Sequence, residues 1–353
     1  MIFLTKFSSA IVAMVTLLLM CACSTTETVT LKKHHTSHGY VNNTPQESPA
    51  IGNMLEFAWE SLTSDTRSFE YPIAKNDPHF LQHNTSEATI TWIGHTTFLI
   101  QMGGVNILTD PHFSERASPV SWAGPKRYTP PGLSLAELPV IDIVLISHNH
   151  YDHLDLNSIR QLQTMQGTTP PLFYVPLGLK SWFENVDIKN VKEFDWWEQD
   201  TFKNFTVHSV PLQHYSSRTP WNRNESLWSG WVLEYNERKI FFVGDTGYSA
   251  DFKDIGKRFG PMDLSLLPIG AYEPRQFMKS IHVNPAEAVK IHQDVRSRYS
   301  IGNHWGTFSL TTEDMDEPPK KLKEALQQAN VSQSEFFVMQ HGETRMLDLL
   351  LNE

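Results

Sequence analysis

The sequence contains very little cysteine. Its 353 residues include two, Cys21 and Cys23, and no cysteine follows them. A domain built from the rest of the chain therefore has no disulfide, no thiolate zinc site and no cysteine nucleophile. A serine or threonine nucleophile elbow is also missing from the expected strand ends. Any catalytic centre must therefore use other side chains.

Runs of basic residues are short, and none exceeds the pairs Lys32-Lys33 and Lys320-Lys321. The formal net charge is -10 at pH 7, from 39 acidic and 29 basic residues. Binding to a phosphate backbone depends on clustered Lys and Arg side chains. The composition therefore argues against nucleic acid as a partner.

The apolar run from Ala10 to Met20 is too short to be a permanent membrane span, and Lys6 precedes it. This is the pattern of a secretory signal sequence. Residues 20–24 resemble the lipobox of bacterial lipoproteins, with Cys23 as the lipid-modified first residue of the mature chain. An ordinary cleaved signal or an N-terminal anchor helix is the alternative. We therefore expect a lipid-anchored protein of the bacterial cell envelope, at the outer membrane facing the periplasm.

After a signal peptide over residues 1–23, the chain divides into three further parts. Residues 24–50 are polar and without apolar periodicity, which predicts a flexible tether. Residues 51–87 form an N-terminal extension with a short amphipathic helix, which packs on the core or contacts a membrane. Residues 88–353 contain no linker and are interpreted as one catalytic domain. Within it we predict strands at 89–93, 97–101 and 105–109 and helices at 155–165, 250–259, 285–296 and 318–329.

The hexapeptide His148-Asn149-His150-Tyr151-Asp152-His153 directly follows the β-branched, apolar segment 141–147. Such a segment is typical of a strand buried on both faces, so the hexapeptide lies where a strand runs into a loop. Without a cation, burying three histidines and an aspartate this close together would cost free energy, and the histidines would repel one another when protonated. The hexapeptide therefore predicts a metal site, with room for two adjacent ions.

Three later residues repeat the order of strand, ligand and loop: His214, Asp245 and His304. They are the further candidate ligands, because zinc needs more side chains than the hexapeptide supplies. Other histidines lack this context and are expected to have a structural role or to lie on the surface: His112, His208, His292 and His341.

Together these ligands resemble the metallo-β-lactamase superfamily, with its signature His-x-His-x-Asp-His and later ligands His, Asp and His. The likeness covers about residues 88–348 and is strongest to the branch of N-acylphosphatidylethanolamine-hydrolysing phospholipase D. The segments that carry it are 92–95, 108–111, 118–127, 242–248, 268–275 and 304–308. It implies an α/β fold, the αββα sandwich of two mixed β-sheets flanked by helices.

The resemblance also implies roles for individual residues. His148, His150 and His214 would bind one zinc, Asp152, His153 and His304 the other, and Asp245 would bridge them. Iron or manganese would accept the same ligands. Further assignments follow from the matching segments: His95 and Asp110 orient ligands, His282 is a proton donor or phosphate contact, and Tyr151, Tyr272, Arg275 and Lys126 contact the substrate. For Asp110 a turn cap, and for His282 a surface position beside a helix cap, are the alternatives.

The implied reaction is phospholipase D-type hydrolysis of N-acylphosphatidylethanolamine by a metal-bridging hydroxide, giving N-acylethanolamine and phosphatidic acid. The implied partners are a phospholipid substrate, the membrane through the lipid anchor, and a second copy of the chain in a homodimer. Two other hypotheses remain. The same fold serves phosphodiesterases and lactonases that act on small soluble substrates, and an envelope lipoprotein with this site could bind metal without catalysis.

Overall fold

The computed structural model describes residues 32–45 and 71–347. Cys23, the signal sequence and the predicted amphipathic helix of residues 54–62 lie outside these residues. The chain divides into two compact units, residues 1–35 and 36–353. None of the described helices combines the length and the hydropathy that a membrane span requires.

Two mixed β-sheets dominate residues 71–347, after the short strands β1 (His35–Thr36) and β2 (Gly39–Tyr40). The first sheet consists of β3 (Thr89–Gly94), β4 (Thr97–Met102), β5 (Val105–Thr109), β6 (Ile143–Leu145), β7 (Leu172–Pro176), β8 (Val191–Phe194) and β16 (Thr344–Met346). The second consists of β9 (Gln199–Phe202), β10 (Phe205–Val210), β11 (Gly230–Tyr235), β12 (Arg238–Phe242), β13 (Leu264–Pro268), β14 (Tyr299–Asn303) and β15 (Phe336–Val338).

Each sheet joins an antiparallel half to a parallel half. The first has the order β16-β3-β4-β5-β6-β7-β8, antiparallel as far as β5 and parallel beyond it. The second has the order β15-β14-β13-β12-β11-β10-β9, parallel as far as β12 and antiparallel beyond it. The hairpin predicted at Gly103-Gly104 joins β4 to β5 with φ of 58° and 69°. Glycine favours this turn because both central residues have positive φ.

Helices cover the outer faces of the sheets. They are α1 (Pro78–His83), α2 (Leu156–Gln166), α3 (Lys180–Glu184), α4 (Asp251–Phe259), α5 (Arg275–Met278), α6 (Pro285–Asp294) and α7 (Glu317–Ala329), with a 3₁₀ turn at Leu135–Glu137. The predicted start of α6 is confirmed: Asn284 Oδ1 accepts from the Glu287 amide, and Glu287 Oε2 accepts from the Asn284 amide. These layers confirm the predicted αββα sandwich.

The ligand-bearing strand β6 is buried on both faces, as its sequence predicts. Ile143 and Leu145 belong to the hydrophobic cluster that contains the second sheet, whereas Val144 belongs to the cluster beneath α1, α2 and α3. Each such side chain contributes about 1.5–3 kcal/mol on burial. Packing on both faces therefore fixes the point at which the strand ends.

The direction of the strands brings the candidate ligands together. β10 runs parallel to β12 because both are antiparallel to β11, and β12 is parallel to β13 and β14. The residues that follow β10, β12 and β14 therefore meet at one edge of the second sheet. The residues that follow β3, β5 and β6 meet at one edge of the first sheet by the same argument. Ligand sites in α/β folds form at such edges.

Candidate metal centre

The structure brings all seven predicted metal ligands into one buried cluster. Three candidate ligand nitrogen atoms come from His148, His150 and His214, which we call the imidazole group. Asp152, His153 and His304, which we call the carboxylate group, supply a carboxylate oxygen and two nitrogen atoms, and His95 lies beside them. Within each set the candidate ligand atoms lie within 4.8 Å of one another.

In the imidazole group, the rings approach each other through nitrogen atoms. His150 Nδ1 lies 2.8 Å from His148 Nε2 and 3.3 Å from His214 Nε2. The outer nitrogen atoms have other partners: His148 Nδ1 lies 2.9 Å from Ser147 Oγ, and His214 Nδ1 lies 2.8 Å from the Ile281 carbonyl oxygen. A partner on Nδ1 fixes the ring and leaves Nε2 for a metal.

In the carboxylate group, Asp152 lies among histidines. Its Oδ2 atom is 3.2 Å from His153 Nε2, 3.4 Å from His304 Nε2 and 3.1 Å from His95 Nε2. The backbone is strained here, since His95 and His304 have φ of 52° and 60° without being glycine. His95 therefore orients Asp152 in the way that the sequence predicted for it.

Asp245 lies between the two groups. Its Oδ2 atom is 3.9 Å from the Nε2 atoms of both His148 and His214, and 3.0 Å from His153 Nε2. Its Oδ1 atom is 3.0 Å from His304 Nε2. The preceding Gly244 has φ of +70°, and a Cβ atom there would lie 2.4 Å from the Ser147 Cβ atom. Glycine thus permits the close approach that carries Asp245 between the groups.

Asp110 supports the carboxylate group from behind. Its Oδ2 atom accepts from the Ser147 hydroxyl at 2.6 Å and lies 2.7 Å from His153 Nδ1, while Oδ1 accepts from the Ser147 amide at 2.7 Å. A carboxylate on Nδ1 orients a metal-binding histidine through Nε2. The contacts match the orienting role predicted for Asp110 rather than a simple turn cap.

The donor atoms fit a metal better than they fit each other. His304 Nε2 and Asp245 Oδ1 are buried without a hydrogen-bond partner. They lie 3.0 Å apart but are misaligned for a hydrogen bond. Buried polar atoms left unpartnered are costly, so convergent imidazole and carboxylate atoms of this kind are suited to divalent metal ions.

The two groups hold protons differently. Burial lowers the pKa of His150 to about 4 and moves the pKa values of His148 and His214 well below their usual range. Burial acts in the same direction on His304, but the negative charge of Asp245 overcomes it and raises the pKa to about 9. The imidazole group is therefore neutral and ready for a metal, whereas a metal must displace protons from the carboxylate group.

His282 reaches the cluster without belonging to either group. Its Nδ1 atom lies 3.9 Å from Asp245 Oδ2, and its ring centroid lies 5.3 Å from that of His214 and 5.6 Å from that of His304. Burial lowers its pKa to about 4, so the ring is neutral at pH 7 and can donate one N–H hydrogen bond. The surface position considered for His282 is wrong.

The hydroxyl of Tyr151 has a partner within the protein, and its predicted contact with the substrate stays a prediction. The hydroxyl donates to the Arg218 carbonyl at 2.9 Å, and the Arg218 guanidinium lies 4.1 Å from the centre of the Tyr151 ring. Arg218 also donates to the Asn149 and Leu154 carbonyls at 2.9 and 2.8 Å. Sequence reasoning missed Arg218, which holds the metal-binding loop from 64 and 69 residues away.

The predicted substrate contacts of Tyr272 and Arg275 stay predictions, and both side chains have partners within the protein. The Tyr272 hydroxyl donates to Glu317 Oε1 at 2.7 Å, and the tyrosine is 3% exposed. Arg275 donates to Glu287 Oε2 at 2.6 Å and to the His282 carbonyl at 2.8 Å. Glu287 thus balances the charge of Arg275, and Arg275 fixes the backbone of His282.

Lys126 is exposed, and the neighbouring Arg127 turns inward instead. Arg127 donates to the His112 and Ser114 carbonyls at 2.6 and 3.0 Å, and its guanidinium lies 4.7 Å from the centre of the Phe308 ring. Burial lowers the pKa of Arg127 to about 10. Successive side chains of an extended segment point to opposite sides, which explains why Lys126 is exposed and Arg127 is not; the predicted substrate contact of Lys126 stays a prediction.

Comparison with known proteins agrees with this site. The profile of the Beta-lactamase superfamily domain matches residues 105–305, which include all seven ligands. The chain belongs to the metallo-β-lactamase superfamily. As a member of that superfamily with convergent His and Asp clusters, it is a metal-dependent hydrolase.

Two members of the superfamily are similar to this chain in sequence as well as in fold. The chain is 43% identical over 273 residues to N-acyl-phosphatidylethanolamine-hydrolyzing phospholipase D 1 of Caenorhabditis elegans, covering 74% of this chain and 76% of the relative. It is 40% identical over 240 residues to the mitochondrial enzyme of the same name from Saccharomyces cerevisiae, covering 66% of this chain and 50% of that relative.

Among solved structures, the isothiocyanate hydrolase from Delia radicum gut bacteria is similar in fold. The TM-score is 0.57 at 17% identity, and the match covers 73% of this chain and 98% of the hydrolase. At this level of identity the likeness concerns the fold alone.

Proposed function

We propose that this protein is a zinc-dependent phospholipase D-type hydrolase that cleaves N-acylphosphatidylethanolamine to N-acylethanolamine and phosphatidic acid. The observation that carries the proposal is the position of Asp245, within 3.0–3.9 Å of nitrogen atoms in both ligand groups. One carboxylate between two ligand groups is the arrangement that a two-metal hydrolase needs. The 43% identity to the phospholipase D of C. elegans supports the choice of substrate.

The residues of the site would have three roles: binding the metal ions, orienting the ligands and contacting the substrate. His148, His150 and His214 would hold one zinc ion, Asp152, His153 and His304 the other, and Asp245 both; iron or manganese could occupy the same ligands. When bound, such a pair of ions activates water and polarises a phosphoryl oxygen. Asp110 and His95 keep His153 and Asp152 oriented throughout. His282, 3.9 Å from Asp245, is placed to donate a hydrogen bond to a phosphoryl or departing oxygen.

The reaction is a hydrolysis at phosphorus. The oxygen of water forms the new bond to phosphorus, the bond from phosphorus to the N-acylethanolamine oxygen breaks, and a proton from water ends on that oxygen. No protein nucleophile is required, which agrees with a chain that has no cysteine beyond Cys23. The departing alkoxide must be neutralised, and His282, outside both ligand groups, lies 3.9 Å from Asp245.

The test uses full-length protein purified in detergent, with N-acylphosphatidylethanolamine in mixed micelles and ¹⁸O-labelled water. We expect equal amounts of N-acylethanolamine and phosphatidic acid, one label in the phosphatidic acid, and loss of turnover on chelation that is restored by zinc. Label in the N-acylethanolamine would contradict attack at phosphorus. Turnover of bis-p-nitrophenyl phosphate or a lactone, with none of the lipid, would favour the small-substrate hydrolase instead.

We also propose that a lipid on Cys23 anchors the enzyme in the bacterial envelope, at the outer membrane facing the periplasm, and that two copies form a homodimer. An anchored enzyme would meet its lipid substrate at the surface where that substrate resides. Cys23→Ala should move the protein from the detergent phase to the aqueous phase in a Triton X-114 partition. Light scattering of the purified protein gives its molar mass, which should be that of two copies of the chain.

A further inference from the structure

A short strap of residues 39–44 lies against the loop that carries His214. Its backbone begins against residue 224, where the Tyr40 amide donates to the Asn224 carbonyl at 2.9 Å. It ends against residue 213, where the Gln213 side chain donates to the Thr44 carbonyl at 3.1 Å. The strap lies far before residues 105–305, over which the superfamily profile matches. It also lies within the stretch for which the sequence predicts a tether.

Asn42, in the middle of the strap, grips the backbone of a metal ligand. Its Nδ2 atom donates to the His214 carbonyl at 2.8 Å, and its Oδ1 atom accepts from the His214 amide at 3.1 Å. The same Oδ1 atom accepts from the indole of the buried Trp228 at 3.1 Å, and that indole also donates to the Leu212 carbonyl at 2.8 Å. One amide side chain thus holds both backbone groups of His214 and is itself held by Trp228.

This contact acts on a ligand whose ring is already fixed at its outer nitrogen. His214 Nδ1 lies 2.8 Å from the Ile281 carbonyl oxygen, which sets the rotation of the ring. The two hydrogen bonds from Asn42 set the position of the backbone from which the ring extends. Metal sites lose affinity when a ligand shifts by a fraction of an ångström, because the donor set must converge on one point. β10 ends at Val210, so His214 lies four residues beyond the last strand position.

We propose that Asn42 is a positioning residue of the metal centre, and that the N-terminal strap is required to hold His214 for the metal of the imidazole group. The proposal rests on the two-metal site put forward above, but not on the identity of the substrate. It assigns a role at the site to a residue 172 positions away from the ligand that it holds.

The neighbouring Asn43 provides a matched control. Its Nδ2 atom donates to Asp251 Oδ1 at 2.8 Å, at the start of α4, and no contact joins it to a ligand of either group among the described residues. Asn43→Ala therefore removes one strap contact and leaves the grip on His214 in place. Asn42→Leu removes both hydrogen bonds to His214 and keeps the number of side-chain heavy atoms.

The experiment measures zinc binding by the full-length, metal-free protein in competition with a chromogenic chelator, without any substrate. For Asn42→Leu we expect one of the two zinc equivalents to weaken by about 10- to 100-fold, the range found for supporting contacts of metal ligands. Asn43→Ala should bind both equivalents as the unchanged protein does. Wild-type binding of both equivalents by Asn42→Leu would overturn the proposal, as would an equal loss in the two variants.

Asn42→Asp covers the case in which Asn42→Leu does not fold. The aspartate can still accept from the His214 amide and the Trp228 indole, but it offers no donor to the His214 carbonyl. We expect selective weakening of the same zinc equivalent, smaller than for leucine, with a melting temperature of the metal-free protein close to that of Asn43→Ala. Undisturbed binding of both equivalents would show that the strap only covers the loops.

Discussion

The two ligand groups on either side of Asp245 are built from different chemistry. The imidazole group consists of three histidines, and the outer nitrogen atoms of His148 and His214 are held by a serine hydroxyl and a backbone carbonyl. The carboxylate group contains Asp152, and Asp110 lies 2.7 Å from the outer nitrogen of His153. Histidines of the first group have lowered pKa values, whereas that of His304 in the second is raised to about 9.

In the proposed two-metal site, the two positions would therefore be unlike. The neutral imidazole group can bind a cation without losing a proton, whereas the carboxylate group brings negative charge and must release protons. Asp245 lies within 3.9 Å of nitrogen atoms in both groups. Changes at Asp245 should therefore affect both positions, and changes elsewhere should affect mainly one of them.

The largest effect is expected from Asp245→Asn. The amide removes the negative charge that lies within 3.9 Å of both groups, so the two positions are no longer joined. We expect kcat to fall by at least about 10³-fold, which corresponds to about 4 kcal/mol in the barrier, with less than two zinc ions retained by metal analysis. A variant with two zinc ions and nearly full turnover would show that Asp245 does not bridge.

His282→Gln tests whether that histidine is a third kind of site residue. The ring nitrogen of His282 lies 3.9 Å from Asp245, and His282 belongs to neither ligand group. We therefore expect kcat to fall by about 10²-fold, in the range for a positioned proton or hydrogen-bond donor. Both zinc equivalents should remain. Loss of one equivalent would instead make His282 a ligand of the imidazole group, next to His214.

Asp110→Asn should weaken the carboxylate group more than the imidazole group. With its oxygen on the Ser147 amide, the asparagine turns its NH₂ toward His153 Nδ1. The proton of His153 then moves to Nε2, the atom that a metal needs. We expect about 10- to 100-fold weaker binding of one zinc equivalent. The other equivalent should weaken less in the same chelator titration, because Asp110 reaches His148 only through the Ser147 hydroxyl. Equal weakening of both would contradict the division into two groups.

The seven ligands could be predicted from sequence because their signal is local. Each follows a strand whose apolar pattern is visible in the chain, and strand direction then places the ends at the same edges of the sheets. The αββα sandwich follows from the same elements and the likeness to the superfamily. The helices 251–259 and 317–329 lie within one residue of their predicted bounds.

The substrate contacts could not be predicted in the same way. A matching segment gives the position of Tyr272 or Arg275 in the chain, but their polar atoms are bound by Glu317 and Glu287, and only the folded chain shows this. The contacts of Arg218 and Asn42 with the site span at least 64 and 172 residues. No local pattern encodes contacts between such distant residues.

The smallest predicted effect concerns the stability of the metal-free protein at different pH. The folded-state pKa of His150 is lowered to about 4, so its contribution to stability is present above about 6.5 and is lost as the pH falls toward 4. That of His304 is raised to about 9, so its contribution is present below about 6.5 and is lost as the pH rises through 9. The melting temperature should therefore be highest near pH 6.5 and fall on both sides, by about 2–4 °C for each kcal/mol lost.

His150→Gln should flatten the acid side of this pH profile and His304→Gln the alkaline side, as measured by differential scanning calorimetry after chelation. If either variant flattened both sides, the two groups would titrate as one unit, and the comparison between them would fail.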